Sequence, residues 1–338
     1  MENIAAVLHG ARDLRIQPWP EPKSRPGWVV VQVEAVGVCG SDVHYYRDGR
    51  IHDWLLNEPM VLGHEPSGRI IDPGTSGLSA GTLVAIEPGI PCGHCQPCWT
   101  GAYNLCANMA FMATPPFHGA MARRIALPAD WVFPVGTGVT AEQAAMTEPL
   151  AVGLWAAVKT KLGVGDQVLV IGAGPIGVLA AQTAHALGAA RVVLADINAD
   201  RVAFATKFDG ISPVNVTSEL DFTPYGNFDV VLECSGASGA FDAAVKVLNP
   251  RARLAIIGIG KEMDRRLDLF ALQAREASIT GVYRYAGIYP KAVELISNGL
   301  VDVAGIITHR FRLTEADQAM TIGENDPTAV KAVVLCQE

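Results

Sequence analysis

From Val168 to Ala190 the chain runs 23 residues without one charged side chain. Such a stretch is either a membrane span or the interior of a globular domain, and the choice fixes the fold. The content decides for the interior. Val168 to Ile171 is a short apolar run, broken at once by Gly172, Gly174, Pro175 and Gly177. Gln182, Thr183 and His185 dot the remainder. A buried strand, a tight turn and a buried helix account for this pattern. The turn, Gly-Ala-Gly-Pro-Ile-Gly, is G-x-G-x-x-G in the strand–turn–helix setting that a dinucleotide site requires. Gly172 permits the turn, Gly174 admits a pyrophosphate to the backbone, and Gly177 lets helix and strand pack. The helix N-terminus offers free N–H groups to phosphate. Asp196 ends the next strand, where a carboxylate can accept from both ribose hydroxyls and repels a 2′-phosphate. NAD is therefore expected over NADP. Arg201, five residues on, stands against the adenine or the ribose.

The same alternation continues on both sides of the turn. Helix is expected over 149–162, 175–187, 199–208, 237–248 and 290–298, and strand over 167–171, 191–195, 228–233, 252–257, 279–282 and 332–335. Short apolar runs that each feed a helix predict an α/β, doubly wound parallel sheet. Residues before about Glu148 read differently. Trp28 to Val38 is a β-rich run between Pro26-Gly27 and a turn, and Gly68–Ile71 and Leu83–Ile86 are short strands between turn clusters. Prolines are frequent. This predicts a partly open β-barrel with long loops, closely apposed to the parallel-sheet domain across a cleft.

Four of the seven cysteines, Cys92, Cys95, Cys98 and Cys106, follow the spacing C-x2-C-x2-C-x7-C. Four thiolates complete a tetrahedral zinc and leave no open position, so this set shapes a loop and does no chemistry. Two disulfides would close tiny, strained loops instead. Any catalytic metal must then be held elsewhere. Cys39-Gly40-Ser41-Asp42-Val43-His44 follows the Trp28–Val38 strand, and Gly63-His64-Glu65 comes soon after. Cysteine, histidine and carboxylate are all zinc ligands, and a set of three leaves a position for substrate. Zinc there would polarise an alcohol oxygen, Ser41 would hydrogen-bond that oxygen, and His44 would pass its proton to solvent. The nicotinamide carries the hydride chemistry. Among the rest, His94 is expected to be exposed, Cys234 buried and inert, His309 structural, and Asp42 a backbone-bonding turn residue.

With these residues in view, the chain resembles the zinc-dependent medium-chain alcohol dehydrogenases, and within them the sorbitol/xylitol (polyol) dehydrogenases, over essentially its whole length. The stretches that carry the likeness are Cys39 to Arg47, Gly63-His64-Glu65, Thr114-Pro115-Pro116, Thr147 to Gly153, Gly281 to Tyr285 and Thr308 to Phe311. The resemblance implies a GroES-like catalytic domain, 1–149 with 286–338, and a Rossmann domain, 150–285. It implies a catalytic zinc on Cys39, His64 and Glu65, with Glu148 bonding its water or exchanging onto the metal. It implies cofactor contacts from Ile176, Gly258, Ile259, Gly260, Val282, Tyr283 and Arg284, and substrate contacts from Tyr45, Phe111, Thr114, Glu148, Arg284 and Tyr285. Ala151 stands near where ordinary alcohol dehydrogenases have a cysteine ligand, which tilts the reading toward a polyol. Arg47 and His118 depart from the family pattern and are expected as solvated loop residues near the pocket.

The expected reaction is oxidation of a polyol to a 2-ketose with two zinc ions and NAD, of the L-iditol 2-dehydrogenase or D-xylulose reductase type. A secondary-alcohol or threonine-type dehydrogenase is the alternative within enzymes, and a zinc- and NAD-binding sensing module the alternative outside them. A net charge of −8 without a basic run argues against nucleic acid and anionic membranes. Met1 to Gly10 lacks the basic-then-apolar pattern of a secretion signal. With few cysteines beyond the metal sets, a cytoplasmic protein is expected, and the resemblance implies a homo-oligomer, dimer or tetramer.

Overall fold

A computed structural model of the chain describes residues 2–217, 219–260 and 267–338. The backbone divides into two compact units, Met1–Glu148 with Tyr289–Gly299 and Val303–Glu338, and Pro149–Ile288 with Leu300–Asp302. The division departs from the expected boundary in three places. Pro149 and residues 286–288 belong with the second unit, and so does the short segment Leu300–Asp302. Gln182 on the helix Pro175–Ala186 explains the last case. Its amide donates to Asp302 O at 3.2 Å and accepts from Asp302 N at 2.8 Å.

The second unit is built on six parallel strands. Their order is Ser212–Asn215, Arg191–Asp196, Gln167–Ile171, Phe228–Glu233, Leu248–Ile256, Ser278–Gly281. This is the doubly wound order, which reverses direction between Gln167–Ile171 and Phe228–Glu233. Val168, Leu169, Val170, Val230, Val231 and Leu232 are all fully buried. Both faces of these strands are covered by chain, so their sequence is a continuous apolar run and not an alternation. The edge strand Ser212–Asn215 was not expected, and its Pro213 is tolerated because an edge strand has one free side. The helix Ala240–Lys246 is shorter than the expected 237–248. Gly239 caps it with a φ of 86°, and the chain then enters the strand Leu248–Ile256 directly.

The first unit contains a sheet of seven strands. Trp28–Gly37 runs through its middle and pairs with Glu65–Asp72, Arg124–Pro128 and Lys331–Leu335. A smaller sheet joins Ile4–Gly10 to Asp13–Pro18 and Met60–Val61. The register that matters is Gly37 opposite Glu65. It sets the exit of one strand, leading to Cys39, beside the entry of the next, at His64 and Glu65. A Cβ at Gly37 would strike the Glu65 carboxylate and Met146, so only glycine allows this approach. Among the described residues no helix is long and apolar enough to cross a membrane.

Candidate active site

Cys39, His64 and Glu65 offer ligand atoms that lie within 4.8 Å of one another. They fit a divalent cation: one soft thiolate, one imidazole and one carboxylate, with room left for another ligand. After Cys39 the chain turns into the helix Gly40–Asp48. Asp42, at the third position of that helix, accepts from Cys39 N at 3.1 Å and from Gly63 N at 2.9 Å. Its carboxylate also lies 3.5 Å from His64 Nδ1. One buried carboxylate thus holds both ligand segments, and it orients the ring so that Nε2 faces Ser41 Oγ at 3.5 Å. This is the partner that metal-bound histidines commonly keep. Asp42 therefore does more than the turn-bonding expected of it. An acidic residue three positions after a helix cap is the signal that could have found it.

Glu65 has a partner that the sequence did not reveal. Lys331, at the start of the last strand, donates to Glu65 Oε1 at 2.7 Å and to Val38 O at 2.9 Å. Both side chains are almost fully buried. Burial disfavours the ammonium, but Glu65 and Cys39 outweigh that and hold Lys331 above the usual lysine range. Burial likewise disfavours a charged His64, yet Asp42 and Cys39 raise it well above the usual value. The field at this cluster is negative, as a bound cation needs. Glu148 stands outside the three-ligand group but within the same neighbourhood. Burial, then Glu148, Glu87 and Glu65 together, push the Tyr289 hydroxyl well above its ordinary range.

Glu87 is a further buried acid that sequence reading missed. It is 2% exposed and accepts from Tyr103 Oη at 2.8 Å. Burial pushes its carboxyl up to about 7, partly offset by the Tyr103 bond and reinforced by Glu148. The folded protein thus keeps a proton there that the unfolded chain releases above the ordinary value of 4.5. Stability from this group is full below that value and is lost as pH rises through about 7. The loss is on the order of 3 kcal/mol. Glu87→Gln keeps the acceptor for Tyr103 and carries no charge. It is expected to unfold at higher urea than the parent at about pH 8 and at nearly equal urea at about pH 5. A difference independent of pH would contradict this assignment.

Cys92, Cys95, Cys98 and Cys106 form the second group, and none is in a disulfide. The short helix Gln96–Trp99 and the turn Tyr103–Leu105 fold the lobe around them. Tyr103 ties this lobe to the sheet through Glu87 and through an edge-on contact with Trp131 at 5.4 Å. His94 is exposed, as expected. Four sulfurs leave nothing open, so this set fits a closed structural zinc.

In the second unit the glycine turn has the expected form. Gly172 has a φ of 100°, and its N–H bonds Ala195 O at 2.7 Å. A Cβ at Gly177 would overlap Gly172 O, which is why the helix can start so close to the strand. Asp196 Oδ2 accepts from Ala173 N at 2.6 Å and Oδ1 from Asn198 N at 2.8 Å. Arg201 stands 4.0 Å from the same carboxylate. A cavity of about 530 Å³ opens here, lined by Gly172, Gly174, Asp196, Arg201, Cys234 and Ser235 among others. It lies at the switch point of the sheet, where such folds bind ligands. Cys234 lines it and is only half-buried, which corrects the expectation that it is buried. Gly258 N bonds Glu233 O at 2.9 Å, and Gly236 packs on Ile259 and Gly260, so this loop flanks the cavity wall.

The expected substrate residues divide between the units. Tyr45 and Phe111 are buried in the first, with the Phe111 ring 5.7 Å from that of His64, and Thr114 is half-buried beyond it. Val282, Tyr283, Arg284 and Tyr285 follow the strand Ser278–Gly281 of the second, with the Arg284 guanidinium 5.0 Å from the Tyr283 ring centroid. Arg47 is not in a loop. It sits in the last turn of the helix Gly40–Asp48 and bonds His44. His118 is exposed and packs edge-on against Trp19 at 4.9 Å. His309 bonds Thr308 and Asp326, a structural role.

Residues 25–137 match the alcohol dehydrogenase GroES-like domain, and residues 175–298 match the zinc-binding dehydrogenase domain. The sorbitol dehydrogenase of Bacillus subtilis is 35% identical over 324 residues, covering 94% of this chain and 92% of that one. The sorbitol dehydrogenase of Arabidopsis thaliana is 37% identical, covering 98% and 95%. The chain belongs to the zinc-dependent medium-chain dehydrogenases, in the sorbitol dehydrogenase group. The dehydrogenase also shares its fold with the crystal structure of L-idonate 5-dehydrogenase from Escherichia coli, at a TM-score of 0.89, 27% identity and 99% coverage of each chain. Its two metal groups and its glycine turn fit the catalytic zinc, structural zinc and dinucleotide sites of an NAD-dependent enzyme.

Proposed function

We propose that this dehydrogenase oxidises a polyol of the sorbitol or xylitol class to a 2-ketose and passes the hydride to NAD. The observation that carries the reading is the Cys39–His64–Glu65 group, held by Asp42 on one side and Lys331 on the other. Zinc supplies Lewis acidity toward an alcohol oxygen when bound there, and NAD supplies the hydride acceptor. The chain does the rest. Asp42 fixes the His64 ring. Lys331 offsets the charge of Glu65. Ser41 stands beside His64 to hold the reacting hydroxyl, and His44, one helical turn later and 43% exposed, carries its proton toward water. Glu148 bonds the water or substrate oxygen near the metal group. In the second unit Asp196 takes the adenosine ribose hydroxyls, and Arg284 and Tyr285 take substrate hydroxyls.

A second reading has support from L-idonate 5-dehydrogenase of Vitis vinifera, 35% identical over 328 residues. A substrate panel separates the two. Sorbitol, xylitol, ribitol, galactitol, L-idonate and 2,3-butanediol would each be offered with NAD and with NADP, and nicotinamide reduction followed at 340 nm. Highest kcat/KM on a polyol with NAD is expected. A clear preference for L-idonate or butanediol, or equal use of NADP, would overturn the substrate or the Asp196 assignment respectively. A homo-oligomer, dimer or tetramer, in the cytoplasm completes the reading.

A further inference from the structure

His44 is flanked by two residues that make opposite demands on one of its nitrogens. Arg47 Nη2 lies 3.2 Å from His44 Nδ1. Asp48 Oδ2 lies 3.7 Å from the same atom. Arg47 and Asp48 are themselves joined as a fork, Nε to Oδ1 at 2.9 Å and Nη2 to Oδ2 at 2.6 Å. A guanidinium has donors and no acceptor, so it bonds Nδ1 only when that nitrogen presents a lone pair and the ring proton sits on Nε2. A carboxylate is an acceptor only, and it would draw the proton onto Nδ1. The distances favour Arg47. Asp48 stays ionised, because its bond to Arg47 holds its carboxyl down at about 2.

We propose that Arg47 is a positioning residue for the proton step, holding His44 in its Nε2–H form, with Asp48 placed to take over Nδ1 when Arg47 lets go. The proposal rests on the reading of His44 as the proton conduit. An imidazole that conducts a proton gains an N–H bond at one nitrogen and loses one at the other. It ends each passage as the other tautomer and must be reset. Arg47 fixes the resting tautomer, and Asp48 stabilises a proton that arrives at Nδ1. The charged groups on neighbouring elements are occupied elsewhere. The helix Ala316–Asn325 packs against this one. Its Asp317 accepts from Tyr46 Oη at 2.7 Å, and its Glu324 pairs with Arg12 at 3.3 Å while acting on Arg47 from farther off. Arg50, in the strand that follows, is exposed. Among the described residues, only Arg47 and Asp48 bond or pair with the His44 ring.

The test is nitrogen NMR of the zinc-loaded enzyme carrying ¹⁵N-histidine, at mildly alkaline pH. His44→Gln assigns the signals by their loss. In the parent, Nδ1 is expected at the unprotonated position and Nε2 at the N–H position. In Arg47→Leu the two are expected to exchange, because Asp48 is freed. Arg47→Lys keeps a donor and should keep the parent pattern, and Asp48→Asn added to Arg47→Leu should remove the exchange. Turnover of Arg47→Leu should fall about tenfold with little change in KM, a fraction of the roughly 10²–10⁴-fold that a placed proton carrier contributes. Arg47→Lys should recover most of it. A parent ring protonated on Nδ1, or ring signals unchanged in Arg47→Leu, would overturn the proposal. His44→Gln with unaltered turnover and solvent isotope effect would remove the conduit reading alone and leave the ring signals to decide the Arg47 assignment.

Discussion

Replacing His64 with glutamine is expected to cut turnover by about a thousandfold or more, the size of the several kcal/mol that a catalytic metal supplies. Glutamine is chosen over alanine for a physical reason. His64 is 6% exposed and faces the buried Asp42 carboxylate. Truncation to alanine would leave that charge without its ring partner, which costs about 3–5 kcal/mol and would mix unfolding with loss of chemistry. An amide can still donate to Asp42 but is a poor zinc ligand. The variant should keep the parent's circular dichroism and lose one of the two metals that the chain's two ligand groups hold. Turnover within tenfold of the parent, with zinc content unchanged, would show that the metal chemistry lies elsewhere.

Cys95→Ser should act on the fold instead. Cys95 Sγ is 3.3 Å from Cys98 Sγ, and the lobe has few buried side chains of its own to hold it closed. Its order depends on the sulfur–metal bonds, which in small zinc domains are folding free energy outright. Loss of one thiolate should open residues 92–106, withdraw Tyr103 from Glu87 and Trp131, lower Tm and expose the lobe to protease. Calorimetry and limited proteolysis read this out. An unchanged Tm with protease resistance in the lobe would mean that the four cysteines are not a structural site.

How much could be read in the sequence depends on how each feature is made. The parallel strands were legible because burial on two faces writes an uninterrupted apolar run, and Gln167–Ile171 and Phe228–Glu233 fall where those runs do. The metal groups were legible because ligand types and short spacings survive without a fold. The supports of the site were not. Lys331 and Glu65 lie 266 positions apart and meet only because Lys331–Leu335 and Glu65–Asp72 both pair with the strand Trp28–Gly37. Glu87 looks like any surface acid until Tyr103 and the sheet enclose it. Arg47 reads as a loop residue because the helix after Cys39 is short and carries almost no apolar periodicity. Its closing signal is Gly49, with φ at 66°, whose N–H bonds Tyr45 O at 2.9 Å.

A chain with one closed and one open metal site holds two ions of different lability, and metal counting on active enzyme addresses that directly. Zinc would be measured by elemental analysis on fully active protein, then again after mild chelation, with turnover recorded alongside. Two zinc ions per active chain are expected, one from each ligand group. Chelation should remove one, abolish turnover and leave the fold intact, and added zinc should restore both. A single zinc in fully active chains, or full turnover after the first ion has left, would contradict it.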